Sequence, residues 1–254
     1  MGRVHDWFVV ARDRQVTVLT TSADTSIALS VMLPAYQEEE NLRVLLPRIL
    51  ATLGSLGVTG EVLVVDTVTP RDATRDLCEQ LGVRWLARSG GNTFGDAYRT
   101  GIAHARGAFI MFMDADGSHP PEWIPRLYEH RSEYDVVIAS RYVEHGYTEN
   151  SQILVLMSRV LNWTYSLVLG IHCKDVSNSF RLCRTAQLRP LSLKCDNFDI
   201  VEEVLVKLNR TVHGLRIREV PFTFKQRMFG KTKRNLVMFM ISYVLTLIRL
   251  RFFV

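Results

Sequence analysis

The 254-residue chain has only four cysteines, Cys78, Cys173, Cys183 and Cys195, and none sits in a Cys-x-x-Cys pair or at metal-ligand spacing. That pattern excludes a zinc-binding module and reads as reduced packing residues of a cytosolic protein. Phosphate-cradling glycine loops are missing as well. Gly90, Gly91 and Gly95 do not spell Gly-x-Gly-x-x-Gly, and Gly-x-x-x-x-Gly-Lys occurs nowhere, which rules out a dinucleotide fingerprint and a P-loop. The apolar run Trp7 to Ala11 is too short and interrupted for a signal peptide, so residues 1–26 are expected to form an extension. Acidic residues are scarce at the other end. From Lys207 onward there are 11 Lys and Arg against the single acid Glu219, a local charge of +10, while residues 1–206 carry −5. Such a basic end calls for an anionic partner: a lipid headgroup, a phosphorylated substrate or nucleic acid. Without a helix-turn-helix signature or an aromatic-interleaved platform, nucleic acid is not expected.

What is present centres on residues 108–123. Ala108 to Met113 is an uncharged apolar run, as expected of a strand buried on both faces, and it ends on Asp114 and Asp116. On an extended backbone these two carboxylates share one side at a strand's carboxyl end, where open α/β sheets bind ligands. Paired like charges favour a cation between them, and hard oxygen ligands suit Mg²⁺ or Mn²⁺, which grips phosphate oxygens. A strand-to-helix turn that merely favours Asp and Gly has the same composition. Pro120 and Pro121 stop the strand and start a helix at Glu122 and Trp123.

Around that centre, apolar strands at 27–33, 61–66, 83–86 and 135–140 alternate with helical patterns at 42–53, 73–81 and 96–105. Alternation of this kind predicts an α/β protein with a doubly wound, mostly parallel sheet. Residues 153–169 are strongly apolar, with Arg159, Asn162 and Ser166 on one helical stripe. A charge in mid-helix argues against a membrane span, and leaves a helix in the membrane interface or an amphipathic helix covering the sheet. Leu236 to Ile248 is an uncharged run of 13 residues closed by Arg249 and Arg251. As a helix it spans ~20 Å against a hydrocarbon core of ~30 Å, so it is expected to lie on a membrane rather than cross it, the alternative being that it packs against the sheet or against a separate membrane-spanning subunit. The expected organisation is an extension (1–26), a catalytic domain (27–235) and a C-terminal hydrophobic interfacial helix (236–254).

The ordered set Leu33-Pro-Ala-Tyr-Gln-Glu38, Val65-Asp66, Gly95, Asp114-Ala-Asp116 with His119-Pro-Pro-Glu122, Ser140-Arg141-Tyr142, Asp175-Val-Ser-Asn-Ser-Phe-Arg181 and Gln226-Arg227-x-x-Gly230-Lys-Thr-Lys233 resembles the family 2 inverting glycosyltransferases. Within them it is similar to the dolichol-phosphate mannose synthase group, over about residues 29–251. Two positions depart from the pattern: Thr67 stands where a second acid, Asn or Gly is usual, and no glycine separates Asn178 from Ser179. The resemblance implies a GT-A-like nucleotide-sugar-binding fold with C-terminal amphipathic, interfacial helices. It implies that Pro34, Tyr36, Glu38 and Asp66 hold the nucleoside of the donor, that Asp114 and Asp116 hold Mg²⁺ or Mn²⁺ with Ser118 as a third oxygen, and that Arg227 and Lys233 close over the diphosphate. Arg141, Arg159 and Ser177 fall to a polyprenyl-phosphate acceptor, with Asp116, Arg141 and Arg227 nearest the chemistry. Expected partners are thus a nucleotide sugar (GDP-mannose or a UDP-hexose), a polyprenyl phosphate, the cytoplasmic face of a membrane, and a membrane-anchoring subunit or a second copy.

Three other readings compete. In a haloacid-dehalogenase-like phosphatase the first Asp of Asp114-Ala-Asp-Gly-Ser118 is a nucleophile, but strands precede the motif here and prolines follow it. A processive polysaccharide synthase needs a multi-span membrane region. A non-catalytic sugar-nucleotide binder needs only the donor residues.

Overall fold

The computed structural model describes residues 26–229 and 236–252. The rest of the expected N-terminal extension, together with Lys231, Lys233 and Arg234 of the basic loop, lies outside the described residues. Three βα units come first: β1 (Leu29–Pro34), α1 (Glu39–Leu56), β2 (Gly60–Asp66), α2 (Thr74–Gln80), β3 (Arg84–Ala87) and α3 (Phe94–His104), leading to β4 (Phe109–Phe112). A 3₁₀ turn at Pro121–Trp123 runs into α4 (Ile124–Tyr128). Then follow β5 (Val136–Ser140), β6 (Tyr147–Thr148), α5 (Gln152–Leu169), β7 (Arg181–Arg184), α6 (Thr185–Leu188), α7 (Ile200–Thr211), β8 (Ile217–Pro221), β9 (Thr223–Phe224) and α8 (Leu236–Phe252).

The main sheet has the order β3-β2-β1-β4-β7-β5-β8, and β6 pairs with β9 in a small separate ribbon. All neighbours in the main sheet are parallel except β7, which runs antiparallel to both β4 and β5. The mostly parallel expectation therefore holds, but β5 is not the strand beside the central one: β7 intervenes. Arg141, which follows β5, is two strands away from β4.

Strand residues alternate between two cores, as period-two side chains on a doubly covered sheet must. Leu29, Val31 and Leu33 of β1 pack under α1, α2 and α4 with Leu42, Leu45, Leu46 and Ile49. Met32 faces the other way, toward α3, α5, α7 and α8. The helices seal both faces, so the open part of the sheet is its carboxyl edge. The chain winds from β1 out to β3, then returns to place β4 on the other side of β1. That reversal is the topological switch point, where such sheets form their ligand crevice. Gly95, at the start of α3, is fixed by a close approach: a Cβ there would meet the Cys195 carbonyl oxygen at 2.1 Å, and the Gly95 N–H donates to Asp196 O. The four cysteines are free and buried, as packing residues should be.

Helix α8 does not stand apart. Tyr243 and Leu250 are buried with the α5 and α7 side of the core, the Tyr165 hydroxyl donates to Tyr243 O, Thr246 Oγ1 donates to Asp199 at the head of α7, and Arg210 donates to Leu250 O. One face of α8 is thus a core face, while Val244, Leu245, Ile248 and Phe252 stay exposed beside Ile153, Leu156, Val160, Trp163 and Leu167 of α5.

Candidate active site

The expectation that Asp114 and Asp116 share one side of an extended backbone fails at Asp116. β4 ends at Phe112, and Asp116 lies in the turn that follows, where its Oδ1 accepts the Ser118 N–H at 3.0 Å. Ala115-Asp116-Gly117-Ser118 is a tight turn, with Gly117 at φ +82°. The left-handed backbone favours glycine there, and a Cβ on Gly117 would come within 2.5 Å of Met228 Cε, so any side chain would also have to push that methionine aside. The segment bearing Met228 straps the turn down. Lys225 N–H donates to Ser118 O, and Met228 N–H donates to Asp116 O.

Asp114 is held from three sides. Its backbone N–H donates to His119 Nδ1 at 2.9 Å, which makes Nε2 the protonated nitrogen, 3.8 Å from Asp114 Oδ2. Its Oδ1 accepts from Ser179 Oγ at 3.0 Å. His119 is wholly buried, stacked on Phe180 and edged by Phe222 and Phe224, and that burial lowers its pKa, which keeps the ring neutral. Ser118 Oγ is buried without a hydrogen-bond partner. Among the described residues no three acidic, His or Cys side chains gather into a complete metal cage. Two carboxylates beside an unsatisfied hydroxyl fit a Mg²⁺- or Mn²⁺-type ion that completes its shell with water and ligand phosphate oxygens.

The strap continues to the donor side. Arg227 Nη2 bonds both Glu38 carboxylate oxygens, at 2.9 and 3.0 Å, and Arg227 Nε donates to Phe229 O. Asn41 Nδ2 donates to Glu38 Oε2 at 2.5 Å, and Asn41 Oδ1 accepts the Phe229 N–H. Burial raises the Glu38 pKa against the lowering effect of Arg227, and the charge of Asp116 raises it further. Glu38, expected to touch the nucleoside, is thus the counter-ion of the arginine expected on the diphosphate.

Asp66 lies at the end of β2. Its Oδ1 accepts the Thr67 N–H, while its Oδ2 is buried with no hydrogen-bond partner, and burial raises its pKa. Pro34 ends β1, and Tyr36 is partly exposed with the Arg71 guanidinium 6.0 Å from its ring centroid. Behind this pocket the buried Arg88 donates to Ala35 O, Asn92 O and Thr93 O, tying the end of β1 to the head of α3.

The acceptor candidates form a second cluster on the far side of Asp114. Arg141 Nε and Nη2 grip Asp175 at 2.9 and 2.6 Å, its backbone N–H donates to the same carboxylate, and Nη2 also reaches Ser177 Oγ at 3.1 Å. Burial works against this guanidinium's charge, but Asp175 outweighs it and holds the pKa above the ordinary value. Arg141 and Arg159 both lie over the Tyr142 ring, at 5.0 and 5.5 Å. Lys233 falls outside the described residues. The sequence named Asp175, Ser179 and His119 within motifs and Asn162 on a helical stripe, but gave none of them a role in the site. Asp175 and Ser179 lie inside the noted 175–181 motif, and an acid there was a signal that the basic residues nearby needed a counter-ion.

A family model described as "Glycosyl transferase family 2" matches residues 30–189. The chain belongs to glycosyl transferase family 2. Among curated relatives, the dolichol-phosphate mannosyltransferase of Pyrococcus furiosus is 32% identical over 212 residues, covering 81% of this chain and 58% of its own length. The family 2 chain thus spans under two thirds of that relative. The undecaprenyl-phosphate mannosyltransferase of Micrococcus luteus is 33% identical over 222 residues, covering 80% of this chain and 86% of its own. Among solved structures, a glucosyl-3-phosphoglycerate synthase from Mycobacterium tuberculosis, crystallised with Mn²⁺, UDP and glucosyl-3-phosphoglycerate, aligns with a TM-score of 0.65 at 17% identity over 89% of this chain and 81% of that one. Another mycobacterial protein aligns at 0.70 and 18%, over 90% and 76%. These neighbours show the shared GT-A-like architecture.

Proposed function

We propose that this family 2 enzyme transfers a hexose, with inversion, from a nucleoside diphosphate sugar to a polyprenyl phosphate at the cytoplasmic face of a membrane, and that transfer requires a divalent ion. The observation that carries the reading is the join between the two polar clusters. One short loop, 175–179, holds Arg141 at one end through Asp175 and touches Asp114 at the other through Ser179. A donor site and an anion site are thereby held on one sheet edge. The names of the curated relatives point to the same pairing of substrates.

The chemistry follows from the charges. An acceptor phosphate oxygen is anionic at neutral pH, so it attacks the anomeric carbon without a strong base while the bond from that carbon to the diphosphate breaks. What it needs is alignment and charge neutralisation. Arg141 has Nε and Nη2 committed to Asp175 and Ser177, which leaves Nη1 to donate to the incoming phosphate. Arg227 exchanges Glu38 for the diphosphate and stabilises the charge that the leaving group acquires. Asp114 and Asp116 would hold the divalent ion, which when bound neutralises the same diphosphate.

The paired apolar faces of α5 and α8 support membrane placement. Helix α5 is long and apolar enough to cross a bilayer by length and composition, yet Asn162, Tyr165 and Leu169 are buried against the protein, and Arg159 lies mid-way along it. A helix bound along one side suits the interface, with Trp163 and Leu167 toward the acyl chains and the basic C-terminal segment at the headgroups.

The experiment is to incubate the full chain on anionic vesicles with Mn²⁺ and labelled GDP-mannose or UDP-hexoses, with and without polyprenyl phosphate. Labelled lipid should form only with the acceptor and disappear in excess chelator. Release of inorganic phosphate alone would favour the phosphatase reading, and donor binding without turnover the simple binder. Failure of the protein to float with the vesicles would overturn the membrane placement.

A further inference from the structure

Asn162, on α5, makes a reciprocal contact with the acceptor loop. Its Oδ1 accepts the Ser177 N–H at 2.9 Å, and its Nδ2 donates to Ser158 O at 2.8 Å and to Ser177 Oγ at 3.2 Å. The amide orientation is dictated by the network, because Ser177 N–H requires an oxygen and Ser158 C=O requires a nitrogen. Asn162 is 1% exposed, inside a helix whose opposite face is apolar and open.

The consequence falls on the Ser177 hydroxyl. Its oxygen has two acceptor positions and one proton. Arg141 Nη2 and Asn162 Nδ2 are both obligate donors and occupy both acceptor positions. The hydroxyl proton has no acceptor among the described residues, and Ser177 is partly open to solvent. Beneath it, the fully buried Arg181 guanidinium binds the carbonyls of Val176, Asn178 and Val201, so the loop cannot readily turn the serine elsewhere.

We infer that Asn162 is a positioning residue for the acceptor: it fixes Ser177 so that the hydroxyl proton and the free Arg141 Nη1 together present a donor pair to a phosphate monoester. This rests on the polyprenyl-phosphate reading above and assigns the device that orients the anion. It also means that the helix resting on the membrane sets the direction of a hydrogen bond in the active site.

Asn162→Asp separates this role from mere packing. The acceptor for Ser177 N–H is kept and the donor to Ser158 O is lost, a loss that Asn162→Ala shares, but in Asp the second oxygen also accepts the Ser177 proton and turns it away from the ligand. Binding of a short-chain isoprenyl monophosphate would be measured by calorimetry without donor, alongside steady-state transfer. Asn162→Asp should weaken phosphate binding and raise the acceptor KM by more than about tenfold, since hydrogen bonds to charged groups carry that much. Asn162→Ala should have a smaller effect, and donor KM should not move in either variant. Ser177→Ala combined with Asn162→Ala should be no worse than Ser177→Ala alone. Equal donor and acceptor losses, or a thermally stable Asn162→Asp with unchanged phosphate binding, overturn the assignment. A wild type that binds no isoprenyl phosphate overturns the acceptor reading itself.

Discussion

Two arginine–carboxylate pairs face each other across the Asp114 turn, and they are built differently. Arg141 and Asp175 are 11% and 0% exposed, joined by two side-chain bonds and a backbone bond, with Ser177 and the ring of Tyr142 around them. Arg227 and Glu38 are 23% and 16% exposed; Arg227 rides on a strap held by the Lys225 and Met228 backbone N–H groups, and Glu38 stands at the head of α1. A guanidinium locked among fixed partners suits an anion that must be aligned. One paired with a carboxylate whose charge burial disfavours suits an anion that must be gripped and then released.

The sharpest way to break the contrast is Asp175→Asn. Removing one partner of a buried pair strands the other, at a cost of about 3–5 kcal/mol. Urea denaturation should register that loss, whereas Glu38→Gln, beside a partly exposed partner, should stay within about 1 kcal/mol. Comparable losses in the two variants would erase the distinction between a locked pair and a displaceable one.

A second, somewhat smaller effect is kinetic. If Arg227 meets the diphosphate as proposed, Arg227→Ala should lower kcat by about a hundredfold, the usual consequence of deleting one electrostatic contact to a leaving group, while the unfolding midpoint barely moves. A kcat within threefold of wild type, with only donor KM raised, would place Arg227 in ground-state binding.

The smallest effect concerns Asp66, whose Oδ2 is buried without a hydrogen bond and whose neighbours Thr67 N–H, Trp85 and Arg88 lower its pKa by less than burial raises it. Because burial raises its folded pKa, ionised Asp66 destabilises the free protein above that pKa. Asp66→Asn should therefore stabilise the unliganded chain by about 1 kcal/mol at pH 7 while weakening donor binding. The advantage should shrink as pH falls through the raised pKa, where the wild type protonates, and vanish below the pKa of an unfolded Asp. Thermal melts across pH 3–8 check this, and an advantage that grows on acidification would reverse the assignment.

Much of this was legible in the sequence because it is local. Strands announced themselves as apolar runs, and Gly95 and Gly117 sat where helix starts and tight turns need them. The family motifs carried Asp66, Asp114, Asp116 and Arg141 to one sheet edge. What could not be read was pairing at a distance. That β7 reverses direction and slips between β4 and β5 depends on contacts some 70 residues apart, and no periodicity reports it. Glu38 with Arg227 is a separation of 189 residues, so the strap over the Asp116 turn was likewise invisible. The extended geometry expected for Asp116 failed because Gly117 and the Asp116–Ser118 bond curl the backbone from Ala115, once Met113 and Asp114 have followed the end of the strand. For α8, hydropathy marked an apolar segment and left membrane surface and protein core as alternatives; Tyr243 and Leu250 turn one side of it into core while the other stays exposed.

The reversed strand also governs how the molecule comes apart. Among the described residues, β3-β2-β1-β4 and β5-β8 are two parallel half-sheets whose only ladder to one another is β7, through Phe109↔Arg184 to Phe112↔Arg181 on one side and Val136↔Cys183 to Ile138↔Arg181 on the other. Opening that one strand would remove the only backbone ladder between the halves while each kept its own pairing, leaving the two shared cores, which pack Met32 with Ile138 and Val31 with Val137, to join them, so the amides of Leu182 and Cys183 mark where backbone coupling between the halves is thinnest. Their hydrogen exchange should report the free energy at which that ladder opens.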